Sequence, residues 1–407
     1  MPSNQKTKKK TNSSKKKVNS STKKENNTLK PNRNSFDFAL ITVIIVLLLF
    51  GLIIVLSASA PASYLESKNS YTYFIKQAKF AAVGFVIMLL VSKIDYRWYK
   101  KFYWLAYALA ILAIFVVYIP GVGRTINGAR RWAVIGGISF QPSEITKILL
   151  IFFFAGYLTD HKDDLKSFPK GFMVPMILMA LPVGLLFGFQ NHLSVGIIIA
   201  LVSILMFCIA GVRMMYILAA GGIGIIGGTI YIMNSIANNS TSFRFRRYLT
   251  FLNPWADPTG DGYQIIHSLY AIGSGGIFGA GLGKSTQKYA YIPEPENDFI
   301  FAVLAEELGF VGCVALIALF GFFIWRGIKI SRNCEDMFGS LLAIGITSFV
   351  GIQAILNIAV VTSIMPTTGI SLPFFSYGGT ALLILLFSMG VLLNISRHKK
   401  VEEEKED

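Results

Sequence analysis

Three cysteines in 407 residues, Cys208, Cys313 and Cys334, leave no disulfide framework and no cysteine zinc site to hold the fold together. Charge is scarce too: 15% of residues are charged against 53% hydrophobic, which excludes a chain solvated on every side. No P-loop, no Rossmann glycine pattern and no HExxH occurs, so nothing in the sequence points to an ATP-driven pump, a nucleotide cofactor or a zinc protease. No repeat of helical period recurs along the chain.

What the sequence has in quantity is uninterrupted apolar chain. A helix needs about 20 apolar residues to cross roughly 30 Å of hydrocarbon. Such runs fall near 37–59, 74–93, 102–119, 143–159, 172–190, 193–212, 214–233, 298–325, 338–362 and 371–395. They predict an all-α polytopic membrane protein with about ten transmembrane helices and one large extracellular loop, 234–297, between helices 7 and 8. The fourth and fifth runs are short, and Lys147 and Pro182 interrupt them.

Orientation follows from the basic segments. Residues 1–36 hold eleven Lys and Arg against one Glu, so about +10 of the formal net charge of +16 sits there and not in the body at 37–396. Rich in Lys, Asn, Ser and Thr, this stretch predicts a disordered cytoplasmic tail that orients the chain or meets anionic lipid or a partner, not nucleic acid. The charged tail at 397–407 is placed on the same side, so both termini are expected in the cytoplasm. "SASA" at 57–60 resembles a signal-peptidase site, yet the apolar run before it is long and Pro61 follows, which reads as an uncleaved first helix.

Two exterior segments, 120–142 and 234–297, run against the charge rule with Arg124, Arg130, Arg131, Arg244, Arg246, Arg247, Lys284 and Lys288. Basic residues there want an anion, whether lipid headgroups, the nearby Asp257, Asp261, Glu294 and Glu296, or a phosphate. The glycines of "AIGSGGIFGAGLGKSTQK" leave backbone N–H groups free to cradle phosphate, and Lys284, Ser285, Gln287 and Lys288 stand beside them.

The stretches "NGARRWAVIGGISFQPSEITK", "PWADPTGDGYQIIHSLYAIGSGGIFGAGLGKSTQKYAYIPEPENDFIFAVLAEELGFVG" and "MPTTGISLPFFSYGG" resemble the signature segments of the SEDS family, the shape, elongation, division and sporulation proteins of bacteria. The resemblance covers about residues 37–396 and is closer to the division and sporulation branches than to the elongation branch. It implies a peptidoglycan glycosyltransferase in the bacterial cytoplasmic membrane that polymerises lipid II on the outer face. It also implies a class B penicillin-binding protein as partner, alongside other division proteins and membrane lipid. A lipid II flippase or a non-catalytic scaffold are the rival readings.

The family's catalytic aspartate maps onto Asp298, at the mouth of the eighth run, where it serves as general base or only as a helix N-cap. Arg131, Glu144, Lys147, Lys284, Gln287, Lys288, Glu294, Ser376 and Tyr377 are candidate substrate contacts. "PEPEND" is a Pro-broken loop without regular ligand spacing, so at most a weak Mg²⁺ or Mn²⁺ site completed by substrate phosphates is expected. His192, in "QNHLS" where many relatives carry "QPDLG", reads as a headgroup-level hydrogen-bonding residue or else an acid or base, and His267, where Gln is usual, has no assigned role. Glu306 lies about 12 Å below Asp298 with Glu307 on nearly the opposite side of the helix; Lys147 is one candidate partner for Glu306, and other groups or a neutral acid are the alternatives.

Overall fold

The computed structural model describes residues 36–126, 129–237, 243–289 and 291–398; the basic tail expected at 1–36 lies outside the described residues except for Phe36, as does most of the tail at 397–407. Thirteen helices follow one another among the described residues: α1 Phe38–Ser67, α2 Thr72–Val91, α3 Arg97–Lys100, α4 Tyr103–Phe115, α5 Pro142–Asp160, α6 Val174–Gly188, α7 Leu193–Ala210, α8 Met214–Ala237, α9 Phe243–Leu252, α10 Tyr263–Ser274, α11 Ile300–Arg332, α12 Met337–Val361 and α13 Gly379–Ile395. Among the described residues seven apolar helices are long enough to cross a membrane: α1, α2, α5, α6 with the turn that leads into it from Phe168, α7, α11 and α12. Three shorter apolar helices occupy Tyr103–Tyr118, Met214–Ile230 and Gly379–Ile395. The helices coincide with the apolar runs, and the chain is a multi-pass membrane protein.

Local chemistry sets the ends of these helices. Asp37 caps α1 by accepting from the Leu40 N–H at 3.0 Å, and its carboxylate also pairs with Arg326 of α11. Lys68, in the left-handed region, ends that helix. Pro61 and Pro182 stand inside α1 and α6, which neighbouring helices tolerate in a membrane bundle. The most enclosed long helices are α5 and α12; α12 packs against α5, α7, α11 and α13. Small residues allow that approach: a Cβ on Gly345 of α12 would stand 2.6 Å from Ile151 Cγ2 of α5.

Three regions differ from the simple reading of runs and loops. The segment expected as loop at 120–142 carries a three-stranded antiparallel sheet, β1 Gly123–Ile126, β2 Ala129–Ile135 and β3 Ile138–Phe140. Gly136 and Gly137 both take positive φ between Ile135 and its partner Ile138, the conformation that a two-residue hairpin turn requires. Among the described residues of the segment expected as one large loop, 234–297, α9 and α10 form helices, and α10 packs against α11 and α12. The last run begins as a helix only at Gly379, because Leu372–Gly378 forms a tight turn in which the Phe375 and Ser376 amides both donate to the Leu372 carbonyl.

Candidate active site

The two buried acids of α11 hold a loop. The helix breaks at Gly309 (φ 65°, ψ −163°). There the glycine-rich chain after α10 docks edge-on: the Ala280 and Gly281 amides donate to the Glu306 and Glu307 carbonyls at 2.9 Å, and the Phe310 amide donates back to Gly276 O at 2.9 Å. Only glycine fits this seam, since a Cβ on Gly309 would lie 2.3 Å from Gly279 N. The side chains complete the clamp. Glu306 Oε1 accepts from the Thr286 amide and hydroxyl, each at 2.8 Å, and Ser285 donates its hydroxyl to Oε2. Glu307 Oε1 accepts from Lys288 Nζ at 2.7 Å and from Ser57 Oγ of α1 at 2.6 Å. The amides expected to be free for phosphate at 280, 281, 285 and 286 are therefore engaged internally. Glu306 and Lys147 do not meet: Lys147 Nζ pairs with Glu144 at 2.8 Å and donates to Gln353 Oε1 at 2.8 Å. Buried charges in hydrocarbon persist only with such partners.

Asp298 ends the loop that follows this clamp. Phe299, not Asp298, occupies the N-cap of α11, with no side-chain cap bond, so the carboxylate is not used as a helix cap. The backbone of 296–298 is latched to the chain between α12 and α13. Tyr377 N donates to Glu296 O at 2.8 Å, Ser376 Oγ to Asn297 O at 2.7 Å, and Asn357 Nδ2 to Asp298 O at 2.7 Å. Gly369 (φ 64°) lets that chain run close past the acid, because a Cβ there would stand 3.1 Å from Asp298 Oδ2. Burial pushes the Asp298 carboxyl up to about 6; the charge of Glu294 adds to the rise, and the guanidinium groups of Arg247 and Arg131 oppose it.

Both arginines are fixed by backbone carbonyls. Arg247 of α9 donates Nη1 to Thr367 O at 2.9 Å. Arg131 of β2 donates to Gln190 O at 3.2 Å and to Asn191 O at 2.6 Å. The sheet at 123–140 thus brings Arg131, and α9 brings Arg247, to the same carboxylate.

The other candidates fall into separate places. Lys288 is buried in its pair with Glu307, and Glu144 and Lys147 are buried in theirs. Gln287 Oε1 accepts from His267 Nδ1 at 2.8 Å, and its backbone N–H points to Glu306. The His267 ring lies among Tyr263, Tyr270 and Tyr291. Lys284 is exposed. Glu294, exposed and at φ 47°, accepts from Asn297 Nδ2 at 3.1 Å. Ser376 serves the latch, and the Tyr377 ring stacks on Tyr73 of α2 at 4.8 Å. His192 is buried against Ser143 Oγ at 3.3 Å; burial and the charges of Arg131 and Lys147 push its pKa down to about 3, so its ring is neutral near pH 7. Arg247, Asn357 and Gly369 were not singled out for this site by sequence. Arg247 stood among the exterior cations, and its position in a strongly one-sided amphipathic helix, "FRFRRYLTFL", was the available signal.

A helical membrane bundle with a part-buried carboxylate in the field of two guanidinium groups defines a class: a multi-pass membrane protein with a charged site where its helices meet the loops. The chain belongs to the cell cycle protein family FTSW_RODA_SPOVE, which matches residues 38–401. It is 40% identical over 368 residues to stage V sporulation protein E of Bacillus subtilis, covering 90% of this chain and 99% of that one. It is 39% identical over 370 residues to a probable peptidoglycan glycosyltransferase FtsW of Geobacter sulfurreducens, covering 90% and 96%. Among solved structures it resembles a chain from work on the structural coordination of polymerization and crosslinking by a peptidoglycan synthase complex, with TM-score 0.72, 27% identity and coverage of 89% and 98%. It also resembles the rod shape determining protein RodA of Thermus thermophilus, with TM-score 0.61, 25% identity and coverage of 91% and 100%. The nearer likeness to the division and sporulation proteins than to the elongation protein agrees with the reading of the motifs.

Proposed function

We propose that this protein is a peptidoglycan glycosyltransferase that polymerises lipid II into glycan strands on the outer face of the bacterial cytoplasmic membrane. The observation that carries the mechanism is the setting of Asp298: part-buried, latched through its carbonyl to Asn357, with Gly369 close to its Oδ2, its carboxyl raised to about 6 and the charges of Arg247 and Arg131 acting on it. In the reaction a sugar 4-hydroxyl oxygen bonds to the anomeric carbon of a lipid-linked sugar. The bond from that carbon to the pyrophosphate oxygen breaks, and the leaving group takes the electron pair. The hydroxyl proton passes to Asp298, whose raised pKa makes it a stronger base than an exposed aspartate while leaving it mostly ionised at neutral pH. Arg247 and Arg131, held by carbonyl groups, meet the charge that develops on the departing pyrophosphate. Exposed Lys284 and Glu294 remain candidates for contacts further along the substrate.

The same reading places both termini in the cytoplasm and gives the protein a class B penicillin-binding protein as partner, which cross-links the strands, within a larger division assembly. The solved complex that couples polymerization to crosslinking supports this partner by structural likeness. For metal, the residues offer little: among the described residues no group of three His, Cys, Asp or Glu is placed to hold an ion, and Glu296 is buried. We therefore propose no resident ion, only a weak Mg²⁺ or Mn²⁺ association completed by substrate phosphates. The test is purified protein with lipid II, with and without the partner, read as glycan chains on a gel. Chains support the polymerase reading, and translocation of lipid II across vesicles without chains would contradict it.

A further inference from the structure

We propose that Gln353 and Asn357 are positioning residues for the reaction centre, two amides one turn apart on α12 that set the Asp298 backbone and the neighbouring 370–371 chain in register, with Lys147 fixing the Gln353 amide. The proposal rests on the reading of Asp298 as the base. Residues four apart share one helix face, and both amides are buried, at 4% and 1% exposure. Asn357 Nδ2 donates to Asp298 O at 2.7 Å and to Ile370 O at 2.6 Å. Both partners only accept, so the amide orientation is dictated by them, and Asn357 Oδ1 is left buried without a hydrogen-bond partner. An orphaned buried acceptor is unfavourable, so Asn357 is better explained by what it holds than by its own contribution to stability.

Gln353 repeats the arrangement one turn away. Its Nε2 donates to Ser371 O at 2.9 Å and to Ser371 Oγ at 3.1 Å, while its Oε1 accepts from Lys147 Nζ at 2.8 Å. A lysine ammonium can only donate. Lys147, held by Glu144 at 2.8 Å, therefore turns the Gln353 oxygen toward itself and the nitrogen toward Ser371. Between Ile370 and the acid stands Gly369, whose place is within a methyl's reach of Asp298 Oδ2. The chain from Glu144 through Lys147, Gln353, Ser371, Ile370 and Asn357 ends on the backbone of the base. In this account Lys147 acts on the reaction through Gln353 and does not touch lipid II.

The experiment compares wild type with Gln353→Glu, Asn357→Asp and Lys147→Met in lipid II polymerisation, each read as kcat and KM beside its melting temperature. Gln353→Glu keeps an oxygen for Lys147 and loses the donor to Ser371; Asn357→Asp keeps its shape and loses the donors to Asp298 and Ile370. The expected result is a fall in kcat of about a hundredfold, the scale for displacing a reacting group by an ångström, with KM unchanged. Lys147→Met should lower kcat as well and add little when combined with Gln353→Glu, because the two act in one chain. A raised KM at unchanged kcat in Lys147→Met, or wild-type kcat in Gln353→Glu, overturns the proposal. Where Asn357→Asp melts below the assay temperature, Gln353→Glu decides alone. Absence of product from wild type overturns the polymerase reading itself, and full activity in Asp298→Asn overturns the base, so those failures are distinct from a failure of the positioning chain.

Discussion

Replacing Lys288 by Met separates a structural role from a substrate-binding one. Lys288 Nζ lies 2.7 Å from Glu307 Oε1, 2.9 Å from Ser57 Oγ and 2.9 Å from Gly283 O. Methionine keeps the length and apolar stem but removes all three donated bonds. Glu307, fully buried, then keeps Ser57 and a long contact from the Ser285 amide on Oε1, and nothing on Oε2. Leaving one partner of a buried pair uncompensated costs about 3–5 kcal/mol. The expected result in detergent is a destabilisation of that size for Lys288→Met, reversed in large part when Glu307→Gln is added, since the orphaned charge is then gone. Thermal unfolding of the single and double variants gives the coupling, and lipid II binding well below the melting transition should be unchanged. A single variant that melts like wild type and loses lipid II affinity would refute the reasoning and return Lys288 to the substrate site.

Other outcomes follow from the same geometry. With the Asp298 carboxyl near 6, kcat/KM should rise about tenfold per pH unit below that value and level off above it, since the base works only when ionised; a profile flat from pH 5 to 8 would contradict the assignment. Gly309→Ala places a Cβ 2.3 Å from Gly279 N at a φ of 65°. It should destabilise by more than the ~1–3 kcal/mol of holding a side chain in this essentially glycine-only backbone region, and an unchanged melting temperature would show that the seam can open. In EDTA, polymerisation should fall and return with Mg²⁺ or Mn²⁺ while the melting temperature of the substrate-free protein stays put. Equal rates in EDTA and in Mg²⁺ would mean that the arginines suffice, and a loss of melting temperature in EDTA would mean that the protein holds an ion of its own.

The helices were legible because hydropathy alone places them: every apolar run became a helix, with ends moved by up to eight residues, as at Ser67 against 59 and Gly379 against 371. The break at Gly309 was not, because a glycine inside an apolar run reads the same whether it continues a span or opens a seam, and the loop that docks there lies some thirty residues earlier in the chain. The acids Glu306 and Glu307 announced that partners must exist but could not name them. A carboxylate's partner is a fact of tertiary structure, and the donors proved to be Ser285, Thr286, Lys288 and Ser57 instead of the basic side chain nearest in depth. The sheet at 123–140 was hidden in a segment read by its charge, although the Gly136–Gly137 pair between two apolar stretches marks a hairpin. Asp298 came from resemblance. Its neighbours Arg247, Gly369 and Asn357 come from three separate segments, which no local pattern joins.

The measurement that bears most directly on the central claim is the rate of glycan formation from lipid II by purified Asp298→Asn beside wild type, at equal folded fraction and with the partner present. Asparagine keeps the size of the side chain and removes the proton acceptor. Wild-type protein should make glycan chains and Asp298→Asn, melting normally, should make none; chains from the variant at near the wild-type rate would contradict the assignment of Asp298 as the base.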